Sequence, residues 1–145
     1  IYTGADIFHY IQMGAQGVQM ATRFVATEEC DASEKFKQAY LNCIKEDLVL
    51  IDSPVGLPGR AIKNRFLQEV SEGNKKPFRC YWRCLKTCDF KTAPYCIASA
   101  LTHAQRGELE NGFAFAGANA YRVKEIVPVK KLIATLVEEY NRQNE

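Results

Sequence analysis

The sequence predicts an α/β chain: a helix-to-strand unit at the start, a mostly helical middle with a cysteine-rich stretch, and a strand-to-helix unit at the end. Three observations predict it. Thr3 and Asp6 fit a capping box ahead of the apolar helical positions Ile7, Phe8 and Ile11. Val18 and Met20 then alternate with polar residues between Gly17 and Phe24, as a short strand would. Leu132, Ile133, Leu136, Val137 and Tyr140 form one stripe at helical spacing near the end, after Pro128 in a first-turn position.

In order, a first helix is expected over about residues 4–13, with Gly14 as its stop, and a strand over 17–22. Thr27 to Asp31 is polar and breaks the pattern. Asp31 and Glu34 suit a second helix start, and Phe36, Ala39, Tyr40, Cys43 and Ile44 repeat at helical spacing. Leu48 to Ile51 is a short apolar strand-like run, with a helix end as the alternative. Two prolines and two glycines make 53–59 a loop. A helix is expected from about Arg60 to Glu72, with Ile62, Phe66 and Val70 on one face and Gly73-Asn74 at its end. Residues 74–96 read as irregular. Ile97, Ala98, Leu101 and Ala104 mark another helix that stops at Gly107. Phe113 to Ala116 reads as a short strand followed by Gly117, ahead of the last helix.

A chain of 145 residues normally forms one domain. Nineteen basic residues against 17 acidic ones leave +2, which argues for neither nucleic acid nor an anionic membrane as partner. No apolar run reaches spanning length, and Ile1-Tyr2-Thr3-Gly4 lacks the basic start and apolar core of a signal peptide. The expected compartment is cytoplasmic. A start at a helix cap without Met is read as the C-terminal part of a longer protein.

Ile1-Tyr2-Thr3-Gly4, followed by Gly14-Ala15-Gln16-Gly17-Val18-Gln19-Met20-Ala21-Thr22-Arg23-Phe24, resembles the last barrel strand of the nitronate monooxygenase (2-nitropropane dioxygenase) family. That family includes the flavin-dependent enoyl-acyl carrier protein reductase II. Val55-Gly56-Leu57-Pro58-Gly59-Arg60-Ala61-Ile62-Lys63-Asn64 and the stretch from Gly112 to Val123 are similar to the family's later segments, in the same order. The resemblance implies the C-terminal part of an FMN-binding (β/α)8 TIM barrel with an added helical, Cys-rich segment. Residues 1–25 would be the last barrel helix and strand, 26–111 the insert with its Cys-rich stretch 78–96, and 112–145 the return to the barrel. A complete barrel takes roughly 250 residues, so the rest of it would be this segment's partner.

The resemblance further implies that Gln19, Met20, Ala21 and Thr22 contact FMN, with Ala21 where the family pattern has Gly. Barrel phosphate sites often lie after strands seven and eight at a helix start, where free N–H groups attract a dianion. The implied reaction is oxidation of an alkyl nitronate by oxygen. The alternative is reduction of an enoyl thioester by NAD(P)H through the same flavin, and a homodimer is a possible assembly. No catalytic residue is assigned: the family's base lies upstream, and His9 and His103 match no such position. Arg23 is expected to pair with Glu28 or Asp31 and hold the turn.

Cys80, Cys84, Cys88 and Cys96 lie within 17 residues, while Cys30 and Cys43 stand apart. Three readings stay open. Buried free thiols come first, then zinc or an iron–sulfur centre, then disulfides. The C-x3-C-x3-C-x7-C spacing lacks the C-x2-C pairs of zinc ribbons and ferredoxins. On a helix, Cys80 and Cys88 would be about 12 Å apart, too far for one ion. The insert tilts the family reading toward the nitronate branch. It also raises a reading from another class, a non-catalytic metal-binding or interaction module over 74–96. Phe78, Tyr81, Trp82 and Tyr95 interleave with Lys75, Lys76, Arg79, Arg83 and Lys86, and are taken as a packed aromatic cluster with solvated basic edges rather than a nucleic-acid surface or a lid.

Overall fold

Thr3 caps the first helix in both directions. In the computed structural model, which describes residues 1–81 and 83–144, α1 (Gly4–Gln12) starts where Thr3 Oγ1 accepts the Asp6 N–H at 3.1 Å. Asp6 Oδ2 accepts the Thr3 N–H at 3.0 Å and the Tyr2 N–H at 2.7 Å. The predicted strand over 17–22 is not there: residues 17–20 lie outside regular structure and pair with no strand among the described residues. Alternation makes a strand only where a neighbour completes the ladder. Thr22 instead opens the single turn α2 (Thr22–Val25).

The second predicted helix is α3 (Glu34–Leu41), capped by Ser33 rather than Asp31, with Ser33 Oγ accepting the Phe36 N–H at 3.2 Å. Strand β1 (Leu48–Asp52) falls where the apolar run predicts it. It pairs antiparallel with β2 (Pro58–Ile62) in the register Leu48–Ile62 to Asp52–Pro58. A helix from Arg60 is therefore incorrect. Hairpin pairing with β1 overrides the local spacing, and the true helix α4 (Arg65–Ser71) starts at Asn64. Asn64 Oδ1 accepts the Leu67 N–H at 3.0 Å, while its Nδ2 donates to the carbonyls of Leu109 at 2.9 Å and Gly112 at 2.7 Å.

Among the described residues of 74–96 there is no regular element, as expected. Helix α5 (Ile97–Gln105) follows. Residues 113–116 run beside β2: the Ile62 N–H reaches the Ala114 carbonyl at 3.0 Å and the Ala116 N–H the Arg60 carbonyl at 2.9 Å. Phe66, Tyr95, Phe113 and Phe115 pack there, with ring centroids 5.1 to 6.0 Å apart along the chain of contacts. Phe113 is fully buried.

The last helix, α6 (Val129–Asn141), has Pro128 at its cap rather than inside its first turn. Proline offers no side-chain acceptor, so the Glu29 carboxylate caps the helix from outside, 2.9 and 3.1 Å from the Val129 N–H. Leu132 and Leu136 are buried against Ile7, Met20 and Phe24. Ile133 and Val137 are about half exposed, because the contact with α1 is a narrower seam than the sequence stripe.

Gly4 sets how closely α1 meets α6. A Cβ there would collide with the Leu136 carbonyl oxygen, and the Gly4 N–H donates to Glu139 Oε2 at 2.7 Å. Replacing Gly4 with alanine in the full-length protein is expected to cost about 1–3 kcal/mol, read as a fall in the denaturation midpoint. Burial alone would raise the Asp6 pKa, but the backbone N–H groups of Thr3 and Tyr2 and the Thr3 hydroxyl hold it below the usual carboxylate value of 3.8. A lowered folded pKa gives stability that is complete above the ordinary value and is lost as pH falls through the folded one. Acid titration of stability should show this slope, and Asp6→Asn should flatten it.

Candidate functional site

The segment Gln19–Thr22 lines an open hollow of about 310 Å³, together with Ile1, Arg23 and Gly117. The four residues marked from sequence therefore share one wall. Gln19 is exposed. Met20 packs against the Val127, Leu132 and Leu136 cluster and also lines the hollow. Ala21 is exposed at the cap of α2 and supplies no side-chain acceptor. The Phe24 and Val25 N–H groups both turn back to the Ala21 carbonyl, at 2.9 and 3.1 Å. The Thr22 and Arg23 N–H groups have no acceptor among the described residues.

Gly117 closes the wall from the far end of the chain. Its N–H donates to Thr22 Oγ1 at 3.0 Å. A Cβ on Gly117 would stand 3.1 Å from that oxygen, tighter than an ordinary side-chain contact. A threonine hydroxyl that accepts one hydrogen bond still has its own proton to donate. Sequence reasoning noted Gly117 only as the end of a short strand, because a bond across 95 positions leaves no local signal.

A second hollow of about 350 Å³ shares Ala21, Thr22 and Gly117, and adds Val25, Tyr40, Arg60, Phe115 and Ala116. Tyr40 donates its hydroxyl to the Phe115 carbonyl at 2.6 Å. Burial, then the neighbouring Cys30 and Cys43, pushes its pKa far above the usual phenol value, so it stays neutral. Arg60 is exposed and has no carboxylate partner among the described residues. Its position on a strand hid it from a reading that expected a helix there.

Arg23 does not pair with Glu28 or Asp31. Its Nη1 donates to the Tyr2 carbonyl at 3.0 Å, and its guanidinium lies over the Tyr2 ring, 4.6 Å from the centroid. His9 is exposed on α1. The His103 Nδ1 meets Glu108 Oε2 at 2.5 Å. Neither lines the two hollows.

The cysteine stretch departs from expectation in two ways. All six cysteines are free thiols, but of the six only Cys43 is buried; Cys80, Cys88 and Cys96 are half-exposed and Cys84 is exposed. The buried-thiol reading therefore fails for the clustered four, since the surrounding segment is too polar to form a core. Among the described residues of 80–88 none is helical, which removes the axial separation a helix would impose. Burial, then the charges of Cys80, Cys84 and Cys96, raises the Cys88 pKa. Among the described residues no three His, Cys, Asp or Glu side chains are grouped as an ion requires. Of the aromatic set, Tyr95 is buried against Phe66 and Phe113, and burial pushes its phenol up to about 12. Tyr81 is exposed and under the Arg79 guanidinium at 5.1 Å, while Trp82 lies outside the described residues. No helix among the described residues is long and apolar enough to cross a membrane.

Comparison with known proteins places this geometry. The family model described as nitronate monooxygenase matches residues 1–139. A probable nitronate monooxygenase of Staphylococcus aureus (strain Newman) is 36% identical over 72 residues, half of this chain and 20% of that protein. The solved structure of FabK from Thermotoga maritima superposes with a TM-score of 0.78 at 26% identity, over 99% of this chain and 42% of that one. Nitroalkane oxidase from Streptomyces ansochromogenes shares the fold, with a TM-score of 0.71 at 22% identity over 98% of this chain and 38% of that one. The chain thus spans well under half the length of these relatives. With the match running through the Gln19–Thr22 wall and on to α6, the chain belongs to the nitronate monooxygenase family.

Proposed function

We propose that this chain forms the phosphate-binding end of an FMN site in an enzyme that oxidises alkyl nitronates with oxygen, as the C-terminal part of a (β/α)8 barrel. The observation that carries the reading is the hollow at Gln19–Thr22, closed by the Gly117 N–H on Thr22 Oγ1 and faced by two unpaired N–H groups. The residues present fit a phosphate. The Thr22 and Arg23 N–H groups and the free Thr22 hydroxyl proton are donors, and the start of α2 adds the positive end of its peptide dipoles. Gly117 can have no side chain without crowding Thr22.

When bound, the flavin supplies the electron chemistry, and the protein binds and orients it. Gln19 presents one amide donor and one acceptor to the polar parts of such a ligand. Arg23, spent on Tyr2, holds the turn rather than the phosphate. Tyr40, neutral and tied to the Phe115 carbonyl, fixes the wall of the adjoining hollow. No side chain of this chain is assigned as the base, and that role falls to the remainder of the barrel.

Oxygen consumption by the full-length protein with propane-2-nitronate tests the reaction. Turnover that needs the nitronate and no nicotinamide nucleotide is expected. Reduction of a trans-2-enoyl thioester by NAD(P)H, with no nitronate turnover, would replace this reaction by the family's other one. The phosphate site has its own test, FMN titration by fluorescence quenching. Thr22→Val should weaken binding about tenfold, the loss of one hydrogen bond to a charged group. Unchanged affinity would remove Thr22 from the site.

A further inference from the structure

The donors assigned to a phosphate at the Thr22 turn are uncharged: the Thr22 and Arg23 N–H groups and the Thr22 hydroxyl proton. The Arg23 side chain is committed to the Tyr2 carbonyl and ring. Uncharged donors orient a phosphate. A doubly charged group leaving water is held more tightly when a cation stands beside it. The fold brings one to the turn from a distant strand.

Arg60 is the middle residue of β2, and strand alternation places it on the same face as Ile62. Ala61, on the other face, is fully buried in the aromatic cluster with Phe66 and Phe113. Ile62 packs with Tyr40, Ala114 and Ala116, and Val25 packs against that group, so the Arg60 face looks toward α2 and α3. The backbone ties the strand to the turn. The Arg60 carbonyl accepts the Ala116 N–H at 2.9 Å, and the next residue, Gly117, donates its N–H to Thr22 Oγ1 at 3.0 Å. Arg60 and Thr22 accordingly line one hollow of about 350 Å³. That hollow adjoins the one at Gln19–Thr22, with which it shares Ala21, Thr22 and Gly117. Nothing in it competes for the guanidinium: its described lining holds no carboxylate, and Tyr40 is neutral with its hydroxyl donated to Phe115. Among the described residues the Arg60 side chain makes neither an ion pair nor a hydrogen bond, which leaves its planar set of N–H donors for an oxyanion.

We infer that Arg60 is the counter-charge for the phosphate end of the flavin: from the wall of the adjoining hollow its guanidinium pairs with the oxyanion that the Thr22 turn orients. The inference rests on the FMN reading above and adds a specificity to it. The site selects the phosphorylated flavin over riboflavin by charge, through a residue of the β1–β2 hairpin, as well as by the N–H donors of the turn. The hairpin is thereby a part of the cofactor site and not only a support for residues 113–116.

The test is paired titration of the full-length protein, freed of bound flavin, with FMN and with riboflavin, read by quenching of flavin fluorescence. Arg60→Gln should weaken FMN binding about ten- to a hundredfold, the loss of a charge-assisted contact, and leave riboflavin binding within about twofold. Arg60→Lys keeps the charge but not the fork of donors, and should recover part of the FMN affinity. Added salt should weaken FMN binding more in the wild type than in Arg60→Gln, because screening acts on the charge that the variant lacks. Equal FMN affinity in the wild type and Arg60→Gln would overturn the inference. So would an equal loss for FMN and riboflavin, which marks a structural role, or a raised substrate KM with FMN affinity unchanged, which assigns Arg60 to the substrate. In each of those cases the wild type still binds FMN, and the flavin reading stands. A wild type that binds no FMN would instead remove that reading and this inference with it.

Discussion

Tyr2 holds the candidate site together. Its N–H is fixed by Asp6, its hydroxyl donates to the Arg122 carbonyl at 2.8 Å, and its carbonyl accepts Arg23. Arg23 and Arg122 both lie over its ring, 4.6 and 4.3 Å from the centroid. One residue therefore joins the cap of α1, the turn at Thr22 and the return segment near residue 122. A cation on an aromatic face contributes about 0.5–1 kcal/mol where solvent reaches it, and more as water is excluded. Two such contacts and three hydrogen bonds on one side chain and its backbone fix the turn that exposes the Thr22 and Arg23 N–H groups. Without that clamp the segment from Gly14 to Ala21 would have little to define it, since it has no ladder partner.

The remainder of the chain brings Gly117 to Thr22. The hairpin β1–β2 lays 113–116 along its edge, and Phe113 and Phe115 fix the register through the aromatic core. Tyr40 ties α3 to the same segment through the Phe115 carbonyl. Lys37, also on α3, is buried and donates Nζ to the Thr27 carbonyl at 2.7 Å, so α3 holds both sides of the hollow. Helix α3, the β1–β2 hairpin and residues 113–117 thus pack together and form the second wall of the hollow.

Local chemistry in the sequence was enough to read the helices. The Thr3–Asp6 box, the ends of α4 and α5 at Gly73 and Gly107, and the seam of α6 all follow from neighbours within a turn or two. Pairing was harder. Arg60 to Ile62 has helical spacing but lies in a strand, because β1 supplies its pairing from ten to fourteen positions away. Residues 17–20 have strand alternation but no partner. The site divides the same way. Gln19 to Thr22 stands out as a motif, whereas Gly117, Tyr2 and Arg60 matter through contacts with distant segments. The thiols were visible at once, but their exposure belongs to the fold.

The account rests on a phosphate-bearing flavin at the Thr22 turn. The most direct measurement is the visible absorption spectrum of the full-length protein, with acid release and identification of any pigment. Oxidised flavin bands, with FMN as the released species, are the predicted result. A protein that remains free of flavin absorption after incubation with FMN and removal of the excess would contradict the account, because the turn would then hold its shape without the ligand it is read to bind.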